Sequence, residues 1–156
     1  MNILFITYTR IGDAVLSTGL LSHLIETHPH AAITVACGPV PAGLFAATPN
    51  VVQVIAMPKR RFAGHWRRLW AACIGRRWDI LVDLRNSAMP YVLRARYRHV
   101  LGADRDPVRH KVERLGALMG RDPPPSPRLW LDDAHRRAAV ALMPGDTPVL
   151  AMAPCA

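Results

Sequence analysis

The chain is 156 residues long and 51% apolar, with a formal net charge of +9, a length that suits one domain with a real core at roughly 100–200 residues per domain. No window approaches the ~18 uncharged apolar residues that a bilayer-spanning helix needs, and the first residues lack the basic, apolar and small-residue pattern of a signal peptide, so a cytosolic protein is expected. Cys37, Cys73 and Cys155 are odd in number and far apart, which suggests neither a disulfide framework nor a metal site and leaves them as small buried hydrophobes.

In chain order, residues 2–8 (NILFITY) form a short apolar run of the kind found in a strand buried on both faces. Residues 14–28 carry apolar side chains at 15, 16, 20, 21, 24 and 25, a helical spacing that Pro29 ends. A strand is predicted over 33–38 (ITVACG), a short helical segment after Pro41, and a further strand over 51–57 (VVQVIAM). Residues 62–76 are predicted helical, with Phe62, Trp66, Leu69, Trp70 and Cys73 on one side. DILVDL (79–84) reads as a strand, 87–96 as a weaker helix with Pro90 in its first turn, and 99–102 (HVLG) as a short strand. Helices over 108–119 and 132–142 flank the loop DPPPSP, and 148–153 (PVLAMA) closes as a strand. Strands alternating with helices mean βαβ units, so the expected fold class is α/β, a Rossmann-like, doubly wound, mostly parallel sheet.

The charge is uneven. Residues 1–78 hold two acids, Asp13 and Glu26, against eight Lys/Arg, seven of which lie between Lys59 and Arg77. Such a patch concentrates anions, and its candidate partners are nucleic acid, an acidic membrane surface or a phosphorylated small substrate; a solvated basic helix is the plain alternative. No recognised nucleic-acid module accompanies it, so no nucleic-acid partner is expected.

Ligands of doubly wound sheets bind beyond the carboxyl ends of the strands, where loops lead into helices. The first such loop is TRIGDAVLST, residues 9–18. Gly12 allows a tight turn or the close approach of a ligand, and the helix that follows offers free N–H groups. No G-x-G-x-x-G is present, which removes the dinucleotide fingerprint. Asp13 either caps the helix, a role worth around 1 kcal/mol, or faces a bound ligand. Spacing alone leaves both open. The seven histidines are scattered without metal-ligand spacing, and Ser17 and Thr18 lack a nucleophile-elbow motif. Asp79 and Asp83 share one strand face, and Asp83, nearer the carboxyl end, is the better candidate to line a site.

The stretch ILFITYTRIGDAVLSTGLL resembles the opening of the glycosyltransferase family 9 proteins, the lipopolysaccharide heptosyltransferases, whose first strand runs into an R-[IL]-G-D turn and helix. WDILVDLRNS resembles that family's fourth-strand segment, and PVLAMAPCA the strand that opens its second domain. Gly19 stands where the family often has proline, Arg85-Asn86 where Gln-Gly is more usual, and Cys155 where glycine is common. The resemblance implies the N-terminal, acceptor-binding half of a GT-B fold over residues 1–147, with 148–156 beginning a nucleotide-sugar-binding domain that the chain lacks.

It further implies an inverting transferase, free of metal and other cofactors, that moves heptose from the substrate ADP-heptose to the inner core of lipopolysaccharide at the cytoplasmic face of the inner membrane. Asp13 is then the base that takes the proton of the acceptor hydroxyl as it attacks the anomeric carbon, and one base suffices for inversion. An inner-core acceptor carries carboxylates and often phosphates, so Arg10, Gly12, Lys59, Arg60 and Arg61 become acceptor-binding candidates; a guanidinium fork matches both anions. Arg67, Arg68, Arg76 and Arg77 are candidates for an anionic membrane surface. Trp66 and Trp70 either pack on the sheet or face membrane or acceptor. As half an enzyme the chain is expected to be inactive alone, and the alternative is a non-catalytic module that binds anionic glycolipid or a partner chain.

Overall fold

The computed structural model describes residues 1–59, 61–103 and 110–143, together with 145, 150 and 152. Five strands, β1 (Asn2–Ile6), β2 (Ala32–Cys37), β3 (Val51–Ala56), β4 (Trp78–Asp83) and β5 (Ala95–Val100), form one sheet in the order β3-β2-β1-β4-β5. Every neighbouring pair is parallel. Successive side chains of a strand point to opposite faces, so each central strand feeds two cores. Ile3 and Phe5 of β1 join Leu20, Leu21 and Leu24 of α1 (Ile11–Thr27) on one face. Leu4 and Ile6 meet Leu69 and Cys73 of α2 (Gly64–Cys73) and Met89 of α3 (Met89–Val92) on the other. The first face is also covered by a 3-10 turn over Val40–Phe45 and by Leu115 of α4 (Lys111–Leu118). A last helix, α5 (Asp133–Leu142), buries none of its residues. Cys37 and Cys73 are buried, as the sequence predicts.

The chain runs outward from β1 to β3 and then returns to lay β4 on the far side of β1. The loops after β1 and β4 therefore leave in opposite directions, which opens a crevice between them at the carboxyl rim.

Four expectations are corrected. α1 begins at Ile11, with Arg10 in an extended conformation at its N-cap, so Ile11-Gly12-Asp13 belongs to the first helical turn rather than to a loop before it. Phe62 and Ala63 adopt left-handed φ values of 52° and 55°, which breaks the helical period ahead of Gly64. Phe62 is consequently 94% exposed and Trp70 40%, while Leu69 and Cys73 alone of the expected apolar side are buried. The helix expected over 87–96 shrinks to α3, because residues from Ala95 onward find their backbone partners along β4, where Ile80 pairs with Tyr97 and Val82 with His99. For the same reason the strand expected over 99–102 starts at Ala95, and an edge strand tolerates the exposed Arg96 and Arg98. The strand expected over 148–153 and Cys155 lie outside the described residues, apart from 150 and 152.

Gly19, the departure from the family pattern in α1, has a steric reason. A Cβ there would lie 2.3 Å from the Pro125 carbonyl oxygen, so the proline-rich loop rests directly on the helix backbone. The neighbouring Thr18 hydroxyl accepts a hydrogen bond from the Arg128 backbone N–H at 2.9 Å.

Candidate active site

The loop after β1 is held from two sides. Thr7 and Ser17 share a buried hydroxyl hydrogen bond of 2.7 Å, and Ser17 also reaches the Ala14 carbonyl. Gly38, just past β2, donates its N–H to the Tyr8 carbonyl at 3.1 Å, and a Cβ on it would lie 2.6 Å from the Thr9 Cα. Only glycine permits that approach.

Just past this loop, in the first turn of α1, Asp13 is neither a cap nor alone. Its Oδ1 accepts from Lys111 Nζ at 2.7 Å, with the two side chains about one-third exposed at 32% and 30%. Lys111 is the first residue of α4, and His110 before it caps that helix through Val112 N–H. The N-termini of α1 and α4 thus meet at one ion pair, and both helix ends favour negative charge there. Lys111 Nζ also lies 4.0 Å from the centre of the Tyr8 ring, a distance at which a cation is drawn to the aromatic face. The Tyr8 hydroxyl is buried without a hydrogen-bond partner among the described residues. Burial first, and then the charge of Asp13, push its pKa up to about 12, so it stays a phenol. Arg10, Ile11, Gly12, Asp13, Val15 and Leu16 line an open groove of ≈ 610 Å³. Gly12 takes no special turn; nothing lies within 4 Å of where its Cβ would be, which leaves the helix end bare to a ligand.

Across the crevice, Asp83 is fully buried and shapes the loop after β4. It accepts from the Arg85 N–H (2.9 Å), the Ser87 N–H (2.6 Å) and the Ser87 hydroxyl (2.7 Å). That turn places Asn86 at φ 50°, a conformation glycine adopts freely and asparagine tolerates better than most. Arg85 lies 4.6 Å over the Trp66 ring, and burial lowers its pKa.

No family model matches the sequence, and no curated protein matches it. Solved structures do. The chain is similar to the E. coli ADP-heptose lipopolysaccharide heptosyltransferase II at 22% identity and a TM-score of 0.66, over 91% of this chain and 50% of that one. A glycosyl transferase family 9 protein from Veillonella parvula aligns at 17% identity and a TM-score of 0.64, over 90% of this chain and 48% of that one. The E. coli heptosyltransferase WaaC with ADP aligns at 16% and 0.62, over 94% and 55%. The fold, a five-stranded parallel α/β sheet of the Rossmann-like kind, matches the N-terminal half of these GT-B structures. This chain spans about half the length of the structures it matches.

Within this fold, the expected residues separate. Arg10, Gly12 and Asp13 come together on one groove. Lys59 and Arg61 are exposed on the same carboxyl rim, but they follow β3, two strands from β1, a lateral offset of about 10 Å. Arg60 lies outside the described residues. Asp83 is structural, with both oxygens bound to its own loop. Trp66 packs against the second core and under Arg85, whereas Trp70 stays exposed. Sequence reasoning missed Lys111 and Tyr8. Lys111 is 98 residues from Asp13 and sits beside an ordinary amphipathic helix, so no local pattern marks it.

Proposed function

We propose that this chain is the acceptor-binding half of an inverting glycosyltransferase that moves heptose from ADP-heptose to the inner core of lipopolysaccharide, at the cytoplasmic face of the inner membrane. The observation that carries the reading is Asp13, a carboxylate held through one oxygen by Lys111 at the mouth of a crevice on the carboxyl rim. Oδ2 is then oriented to receive the acceptor's hydroxyl proton. As that proton leaves, the hydroxyl oxygen bonds to the anomeric carbon from the face opposite the nucleotide, the bond from that carbon to the phosphate oxygen breaks, and ADP departs with the electron pair. One positioned base typically contributes 10²–10⁴-fold to such a step. Lys111 holds the carboxylate still, and Tyr8, its pKa pushed up to about 12, takes no part as a base. One protein of the same fold, the E. coli heptosyltransferase WaaC, was solved both with ADP and with ADP-2-deoxy-2-fluoro heptose, which supports a nucleotide-sugar donor bound by the other half. The rim cations Lys59 and Arg61, with Arg10, are the groups that would meet acceptor carboxylates and phosphates.

Titration calorimetry of the chain with a deacylated inner-core oligosaccharide tests the binding part. Binding that weakens severalfold in Arg10→Gln and Arg61→Gln supports the reading, and the absence of binding removes it. The chemical part is tested in a protein that joins this chain to a donor-binding domain. There Asp13→Asn should lower turnover at least ~100-fold; wild-type turnover would refute the assignment.

A further inference from the structure

Residues 27–78 contain no acid, yet hold seven Lys/Arg between Lys59 and Arg77. The two acids that follow are used by the fold: Asp79 accepts from the Asn2 backbone N–H at 2.6 Å, and Asp83 is buried in its own loop. Among the described residues no ion pair offsets the positive charge of this face. Between α2 and α3 lies an apolar groove of ≈ 620 Å³, walled by Trp66, Trp70, Ala71, Met89 and Val92. Arg67 and Arg68 line it too, and both are exposed. Large apolar side chains stand uncovered next to its lining residues in the chain, Phe62 beside Ala63 at 94% exposed and Tyr91 beside Val92 at 77%. Phe62 also holds a left-handed backbone, which costs a bulky residue energy and persists where surroundings or function require it. With almost no buried surface of its own, Phe62 contributes nothing to the core in return.

Exposed aromatics on and beside a short amphipathic helix that carries arginines are the two signals that stable interfacial anchoring takes, apolar insertion and polybasic attraction. Aromatic side chains settle at the headgroup level of a bilayer. We propose that the α2–α3 face docks on an anionic lipid bilayer, with Phe62, Trp70 and Tyr91 entering the headgroup boundary and Arg67 and Arg68 meeting lipid phosphates. This names the surface behind the membrane part of the proposed function, and it rests on that part alone: it requires a bilayer, not sugar transfer.

The experiment is co-sedimentation of the chain with vesicles of phosphatidylcholine containing one-quarter phosphatidylglycerol, against vesicles of phosphatidylcholine alone. Binding is expected to the anionic vesicles only. Arg67→Gln with Arg68→Gln should weaken it about 25-fold, at about fivefold per cation near such a surface, and Phe62→Ser roughly tenfold or more. The same charge loss on α5, Arg136→Gln with Arg137→Gln, should cost far less. Phe62 is too exposed for its replacement to unfold the chain, so a loss in that variant reads docking and not stability. Equal losses on α5, equal binding to neutral vesicles, or no binding would each overturn the proposal. So would a dimer that Phe62→Ser dissociates in a chain that leaves vesicles alone, which would give the groove to a second copy. Failure here with intact binding of the core oligosaccharide would leave the transferase reading standing, and the reverse result would leave the docking surface.

Discussion

Lys111 Nζ sits 2.7 Å from Asp13 Oδ1, joining the first residue of α4 to the first turn of α1 across 98 residues of sequence. With both side chains about one-third exposed, water screens the pair, and its worth to folding is at most about 1 kcal/mol. Its value lies in orientation. A free carboxylate would rotate among rotamers, whereas one oxygen bound to an ammonium restricts where the other can point.

Lys111→Met should therefore lower stability by less than about 1 kcal/mol in urea unfolding. In a protein that carries the donor-binding half it should lower kcat at least tenfold with KM changed less, and Lys111→Arg should restore part of the loss. A stability loss of several kcal/mol, or unchanged kcat, would show the pair to be a structural strut.

The two glycines of α1 should respond oppositely to alanine. At Gly12 the space is open and the backbone helical, so Gly12→Ala should leave stability unchanged or raise it by up to about 1 kcal/mol, while weakening binding of the core oligosaccharide. At Gly19 the new methyl meets the Pro125 carbonyl at 2.3 Å, and thermal unfolding should report a loss of about 1–3 kcal/mol.

Asp83 tests a buried carboxylate with a structural task. Asp83→Ala strands the Arg85 N–H, the Ser87 N–H and the Ser87 hydroxyl, at a cost of about 1–3 kcal/mol for a buried donor left unmade. The loop after β4 should loosen, which amide hydrogen exchange at residues 85–88 would register. Protection as in the unaltered chain would refute this role.

Alkaline pH should unfold the chain earlier than an average domain. Burial pushes the thiols of Cys37 and Cys73 from 9.0 up to about 11, and burial with Asp13 pushes Tyr8 from 10.0 to about 12. Below pH 9 all three groups are protonated in both states and contribute no pH dependence. Above it the unfolded chain releases protons that the folded chain keeps, so stability falls between pH 9 and 12, by at most about 1.4 kcal/mol per pH unit for each group. Urea midpoints at pH 8 and 10.5 measure the slope, and Cys37→Ala with Cys73→Ala should flatten it below about pH 10, where Tyr8 begins to contribute.

The alternation of strands and helices was legible because local periodicity carries it. Within the run 2–8, residues 3–6 are apolar on both faces of the pleat, and 14–28 repeats its apolar residues at the helical spacing, whatever they pack against. Asp13 was legible for a related reason: in a doubly wound sheet the loop after the first strand must reach the ligand rim. The segment 87–100 was not, because its arginines give no apolar pattern and the open edge of β4, distant in sequence, decides that 95–100 pairs as a strand.

By itself, then, the sequence determined an α/β chain with a carboxylate at the mouth of its first helix, since both follow from neighbours within a few residues. Only the tertiary structure decided that Lys111 and Tyr8 surround that carboxylate, that Asp83 turns inward to its own loop, and that Phe62 and Trp70 stay outside the core. Those are contacts between residues far apart in the chain or effects of a left-handed turn, and their energy depends on where the backbone brings groups together in space.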